Sequence, residues 1–110
     1  MNAEQKIDRL FHALSDSSRR RMLLMLSKKD SSVSELGEPL CISKQLVSKH
    51  IKVLETAGLV TKTREGRVQR CKYNAEAMNE VSLVVEQYKK FWGKQFDILE
   101  KFVEEIKNKE

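Results

Sequence analysis

Residues 33–60 read VSELGEPLCISKQLVSKHIKVLETAGLV. The preceding Ser32, with Val33, Ser34 and Glu35, has the form of a capping box: the serine oxygen accepts from an orphan amide at a helix start and the glutamate reaches back. The helix so opened is short, because Gly37 and Pro39 both disfavour a long one. After a turn at Leu40-Cys41-Ile42, Ser43 caps a second helix, expected over 44–57. Its apolar face is Leu46, Val47, Ile51 and Leu54 with Val53 at the edge, and Gly58 stands where a left-handed C-terminal residue is expected. A short helix, a tight turn and a second helix polar on its outer side form the helix-turn-helix pattern.

Working outward, residues 59–63 (LVTKT) and 68–73 (VQRCKY) are short runs rich in β-branched residues around Arg64-Glu65-Gly66-Arg67, which predicts a two-stranded hairpin with a basic tip. Such a hairpin directly after a helix-turn-helix is a wing, whose cations reach phosphates or the adjacent minor groove. Upstream, Ile7, Leu10, Phe11 and Leu14 recur at helical spacing over 3–14, and Asp16 or Ser17 can cap a further helix with Met22, Leu23, Leu26 and Met25 inward. Arg19, Arg20 and Arg21 occupy its first turns and can reach DNA phosphates or a neighbouring carboxylate, or lie on a salt-bridged or solvated face. Downstream, helical periodicity resumes near Ala75 and persists almost to the end through Val81, Val84, Val85, Tyr88, Phe91, Trp92, Phe96, Leu99, Phe102, Val103 and Ile106.

The expected fold is mainly α with a small two-stranded hairpin: one winged helix-turn-helix domain over 1–110, with 32–58 the helix-turn-helix and 59–73 the wing. Segments 1–15 and 75–110 are expected to supply dimerisation helices, because a helix so long outruns a domain this small and must bury its stripe against something. The residues expected at that interface are Ile7, Leu10, Phe11, Val84, Tyr88, Phe91, Trp92, Phe96, Leu99, Phe102 and Val103.

Charge placement points to the partner. The net charge is +5, and residues 44–74 hold eight Lys/Arg against two Asp/Glu, whereas 1–43 hold seven against six and 75–110 six against eight. A solvated face mixes its signs; a one-sided block suits a polyanion. Without a hydrophobic anchor beside it, this block favours nucleic acid over membrane. The residues expected on DNA are Ser43, Lys44, Gln45, Ser48, Lys49, His50 and Lys52 on the second helix, and Lys62, Arg64, Arg67 and Arg70 on the wing. Gln45 can pair bidentately with adenine, while lysines prefer guanine or phosphate.

Other classes lack their residues. His12 and His50 have no ligand-spaced neighbours, and no nucleophile elbow or phosphate-cradling glycine loop occurs, so neither enzyme, metal site nor cofactor is expected. Cys41 and Cys71 show no CxxC spacing and read as small packing residues kept reduced in the cytoplasm, with a redox role for Cys41 as a second reading. No apolar run approaches the ~18 residues of a membrane span. An alternative to DNA binding is a winged helix that dimerises and docks a protein, but such a module has little use for the basic block.

The segments FHALSDSSRRRMLLML (11–26), VSKHIKVLETAGLV (47–60, within the helix-turn-helix stretch) and REGRVQRCKYN (64–74) resemble the ArsR family of winged-helix repressors, and the tail VEQYKKFWGKQFDILEKFVEEI (85–106) looks like a subgroup with a long terminal helix. The resemblance implies a homodimer joined by its first and last helices, with helix 43–57 in the major groove. It implies DNA contacts from Ser43, Gln45, Ser48 and His50, and it matches the stretch from Arg64 to Arg70 with the wing. Metal-sensing members carry a Cys-x-Cys pair in the short third helix, or His and Asp ligands on the last; here residues 33–40 hold no cysteine and no histidine follows His50. An effector is therefore not legible from those positions.

Overall fold

The structure, a computed structural model, describes residues 2–109 and all of their side chains except those of Lys94 and Phe96. Its elements are α1 (Ala3–Leu14), α2 (Ser17–Lys28), β1 (Ser31–Ser32), α3 (Val33–Leu40), α4 (Lys44–Thr56), β2 (Val60–Glu65), β3 (Val68–Tyr73) and α5 (Ala75–Lys109).

Each of the first four helices starts on a side-chain cap. Asn2 and Gln5 form a capping box at α1, Asp16 accepts from the Arg19 amide at α2, Ser32 and Glu35 form the box at α3, and Ser43 accepts from the Leu46 amide at α4. Pro39 sits inside the last turn of α3, which ends at Cys41 in the left-handed conformation (φ 55°). Gly37 sets how closely α3 meets α4: a Cβ there would lie 2.9 Å from Val47 Cγ2 and 3.1 Å from the Ile42 carbonyl oxygen. The core gathers Leu10, Ala13, Met22, Leu23, Leu26, Leu36, Val47, Ile51, Leu54, Leu59, Val60 and Cys71, from every helix of the body and from the wing's base.

The sheet has three strands, not the two expected, in the order β1-β3-β2, all antiparallel. Ser31 and Ser32 pair with Cys71 and Arg70, so the polar connection before α3 also anchors the wing. The hairpin turns on two residues, since Glu65 pairs with Val68, and Gly66 supplies the positive φ (63°) at the first of them.

Three packing expectations change. Leu46 is exposed and not part of the α4 core face, which Val47, Ile51 and Leu54 fill at the i, i+4, i+7 spacing. The two cysteines are unlike: Cys71 is wholly buried and Cys41 is exposed. Leu10 is 0% exposed, a core residue of the single protomer with no surface to offer a partner.

Helix α5 has 35 residues, roughly 52 Å at ~1.5 Å per residue, in a molecule whose longest extent is 59 Å. Its start belongs to the body through buried Ala77 and Val81, and Lys6 of α1 pairs with Glu80 at 2.7 Å. Beyond that the same face runs on uncovered through Val85, Tyr88, Trp92, Leu99, Val103 and Ile106, with Phe91 and Phe102 beside it. Phe91 is 75% exposed and meets Trp92 edge to face at 5.2 Å. Ile7 and Val84 are half-buried at the α1–α5 seam, and Phe11 lines a cleft there with Val85, Tyr88 and Gly93. Phe96, also expected at an interface, lies outside the described side chains.

Candidate nucleic-acid interface

Helix α4 exposes one polar face, bordered by the wing and α3 on one side and by α1 on the other. On the wing side, Lys44 and Ser48 of α4 share a polar groove of about 390 Å³ with Ser32 and Ser34 near the start of α3, and with Arg64, Arg67 and Gln69 of the hairpin. Three cations from two elements thus converge around hydroxyl and amide donors, the composition that holds a phosphate backbone. Gln45 is exposed next to Lys44 on α4, outside the groove's lining. Ser43 is exposed, but its hydroxyl oxygen is engaged in capping α4.

Several basic residues are directed inward or sideways instead. Lys62, half-buried, turns back to Glu55 on α4 at 3.7 Å, so it braces the wing's base against that helix. Arg70 lies between Glu65 at 3.2 Å and Glu35 at 4.0 Å, linking wing and α3. Arg64, while lining the groove, also donates through Nε to the Gly66 carbonyl at 3.3 Å, shaping the tip. Among the described residues Arg67, Lys44, Lys49 and Lys52 form no ion pair, so their charge is available to a polyanion.

His50 is half-buried, and its Nδ1 lies 3.3 Å from an Arg19 nitrogen. Arg19 itself is 8% exposed: its Nε donates to the Ala13 carbonyl at 2.8 Å and its Nη2 to the His12 carbonyl at 3.0 Å. It therefore closes the C-terminal end of α1 and holds that end against α4. Arg20 donates to the Leu14 carbonyl at 2.7 Å, while Arg21 is exposed. Asp16 sits beside this cluster with its pKa below the ordinary carboxylate value, first because the Arg19 amide donates to the carboxylate, then because His50 and Arg19 lie near.

The sequence reading missed Ser32, Ser34 and Gln69 as groove residues. Gln69 had a usable signal, since it alternates with Val68 and Arg70 beside the basic tip; the two serines needed the β1 pairing, which carries no pattern of its own. No group of three or more His, Cys, Asp or Glu side chains able to hold a metal ion occurs among the described residues. No described helix is long and apolar enough to cross a membrane.

Comparison with known proteins agrees with this architecture. Residues 16–62, the segment from the α2 cap into the wing, match the family described as "Bacterial regulatory protein, arsR family". The chain is 38% identical over 78 residues to the uncharacterised HTH-type transcriptional regulator YuzN of Bacillus subtilis (strain 168), a match covering 64% of this chain and 85% of YuzN. It is 31% identical over 61 residues to the transcriptional repressor SdpR of the same organism, covering 56% of this chain and 68% of SdpR. Among solved structures, an ArsR-like transcriptional regulator from Rhodococcus sp. RHA1 superposes with a TM-score of 0.72 at 26% identity, covering 93% of this chain and 96% of that one.

Proposed function

The chain belongs to the arsR family of bacterial regulatory proteins and is a DNA-binding transcriptional regulator, and from that premise we propose a cytoplasmic homodimeric repressor that sets α4 of each protomer in a major groove. The single observation that carries this reading is the groove joining α4 to the wing, where Lys44, Arg64 and Arg67 converge around Ser34, Ser48 and Gln69. There Ser48 and Lys44, with Gln45 beside the groove, read base edges while Arg64 and Arg67 sit on the flanking backbone or minor groove. Lys49, Lys52 and His50 support the second edge of the same helix face; Lys62 and Arg70 act by bracing the wing more than by touching DNA. The operator is an imperfect palindrome with half-sites about one helical turn apart.

Dimerisation is supported by the uncovered α5 stripe. A face that continues a buried core residue, Val81, through Tyr88, Trp92, Leu99 and Val103 steps by seven and four, as two helices packing side by side require. Phe11 and Ile7 extend it from α1. The chain is a member without a cysteine pair in α3 and without histidine on α5, so its response does not run through metal bound at those positions.

The test is binding to a duplex selected by the protein from a random pool, compared with unselected duplex across a salt series. We expect preference for selected DNA by roughly a thousandfold, with log K falling by about 0.9 per neutralised phosphate. Gln45→Ala should flatten the base preference by about 1–3 kcal/mol at one position, and Arg67→Ala should weaken every duplex alike. Equal losses on both DNAs for Gln45→Ala would remove α4 from the role given to it.

A further inference from the structure

On the side of α4 away from the wing lies a second cleft, of about 550 Å³, between α1 and α4. Its floor is Val53, Ala57 and Thr56, and its rim is Arg9, His12, Lys49 and Lys52. Lys49, Lys52, Val53 and Thr56 fall at i, i+3, i+4 and i+7, one face of α4; Arg9 and His12 face them from α1 at i and i+3. No acidic side chain lines the cleft, and Arg9, Lys49 and Lys52 form no ion pair among the described residues. The volume falls within the range of small-molecule sites. An apolar floor under a rim of unpaired cations selects a ligand with an apolar body and an anionic head.

The cleft is distinct from the proposed dimer face. Phe11, which lines the α1–α5 seam, is on another side of α1 from Arg9 and His12. It is also a fixed shape, because Arg19 ties the His12 and Ala13 carbonyls of one wall to His50 of the other.

We propose that this cleft binds an anionic amphiphile, a carboxylate on an apolar body, and that its occupation weakens DNA binding. Resting on the placement of α4 against DNA proposed above, the coupling is electrostatic: Lys49 and Lys52 point their charge either at DNA phosphates or at the ligand's head group. A carboxylate between them lowers the positive potential of that edge of α4 and is itself repelled by DNA. The chain then has an effector site built on its reading helix, with no metal.

The experiment uses decanoate as probe, followed by amide shifts of the ¹⁵N-labelled full chain, with decanol and decyltrimethylammonium as uncharged and cationic controls. Decanoate should shift the amides of 9–13 and 52–57 saturably, and decanol should bind roughly tenfold more weakly, the scale of one charge-assisted contact. Thr56→Phe, at an exposed position, fills the cleft, and Arg9→Glu reverses one rim charge; each should abolish the saturable shift while the remaining spectrum stays that of the folded parent. Shifts confined to the α5 stripe, or equal response to all three amphiphiles, would overturn the site. This titration needs no DNA, so it judges the cleft even if α4 does not read DNA. In the second arm decanoate should raise the Kd for the selected duplex at least fivefold in the parent and not in Thr56→Phe, a several-fold change being typical of such coupling. Unchanged DNA affinity with a filled cleft would overturn the regulatory half of the proposal.

Discussion

Replacing Arg19 with methionine separates two roles, the phosphate contact that the sequence allows and the internal clamp seen in the structure. Methionine keeps the length and apolar stem but donates nothing. The Ala13 and His12 carbonyls at the end of α1 lose donors that now stand at 2.8 and 3.0 Å, the first of them in a buried contact and the second in a half-buried one. The His12 carbonyl keeps the Ser15 amide and hydroxyl as donors, so the loss falls on the Ala13 carbonyl, and a buried carbonyl left without a partner costs about 1–3 kcal/mol. In urea, at fixed protomer concentration, that lowers the unfolding midpoint by roughly 1–2 M with an unchanged slope. Arg19→Lys keeps one donor group on a shorter reach and should recover about half. The salt dependence of DNA binding, measured where both proteins are folded, should not move. If stability changes by less than about 0.5 kcal/mol while the slope of log K against log salt falls by about 0.9, Arg19 is a phosphate contact and the clamp reasoning is wrong.

Gly37→Ala gains helix propensity of up to about 1 kcal/mol but drives a Cβ into the stiff, wholly buried Val47 and the Ile42 carbonyl, so a net loss of about 1 kcal/mol is expected; a thermal melt showing stabilisation would contradict the packing. Asp16→Ala should cost about 1 kcal/mol at neutral pH. Because the folded-state pKa of Asp16 lies below 3.8, the carboxylate's contribution is full above that value and lost as pH falls through the folded pKa, so parent and variant should converge in acid urea titrations. Phe91→Glu with Trp92→Glu places charge on the uncovered α5 stripe, and sedimentation should show a folded monomer; a persistent dimer would move the interface elsewhere. A thiol reagent should label one cysteine in the native protein and two in urea, since Cys41 is exposed while burial removes Cys71 from access and raises its pKa; rapid native labelling of both would contradict the core.

The elements that sequence makes legible are those with local causes. The caps at Asp16, Ser32 and Ser43 and the left-handed Gly58 fix helix ends by chemistry within four residues, so α2, α3 and α4 stand where their sequence puts them. What escapes depends on contacts between distant segments. Strand β1 is two serines whose pairing with Cys71 and Arg70 is made by backbone alone. Leu10 shares the periodicity of Ile7 and Phe11, and only the direction from which α2 and α4 approach α1 sends it into the core while Phe11 stays at the surface. Charge counting located the basic block but not its aim: Lys62 and Arg70 add to the total yet spend their charge on Glu55, Glu35 and Glu65.

Two inward-facing charges, Arg19 and Lys62, join with packing to fix α4. The helix is held at its middle by Arg19 through His50, along its inner face by the Gly37–Val47 approach to α3, and near its end by the Lys62–Glu55 pair. Just beyond it, Asn74 donates to the Gly58 carbonyl at 2.8 Å. A helix so constrained moves with its domain as a rigid body, so an effector has two means of changing its meeting with DNA. One is to alter the charge on the exposed face, which the α1–α4 cleft allows without displacing any backbone. The other is to alter the distance between the two copies of α4, which in the proposed dimer is set by how the α5 stripes cross. The two are separable. A change of charge weakens each half-site and lowers the salt slope, whereas a change of crossing leaves a single half-site unaffected and shifts the preferred spacing between two. Conservative stripe substitutions that keep the dimer, such as Leu99→Ile, therefore belong with the spacing of the operator, and substitutions at Lys49 and Lys52 with its affinity.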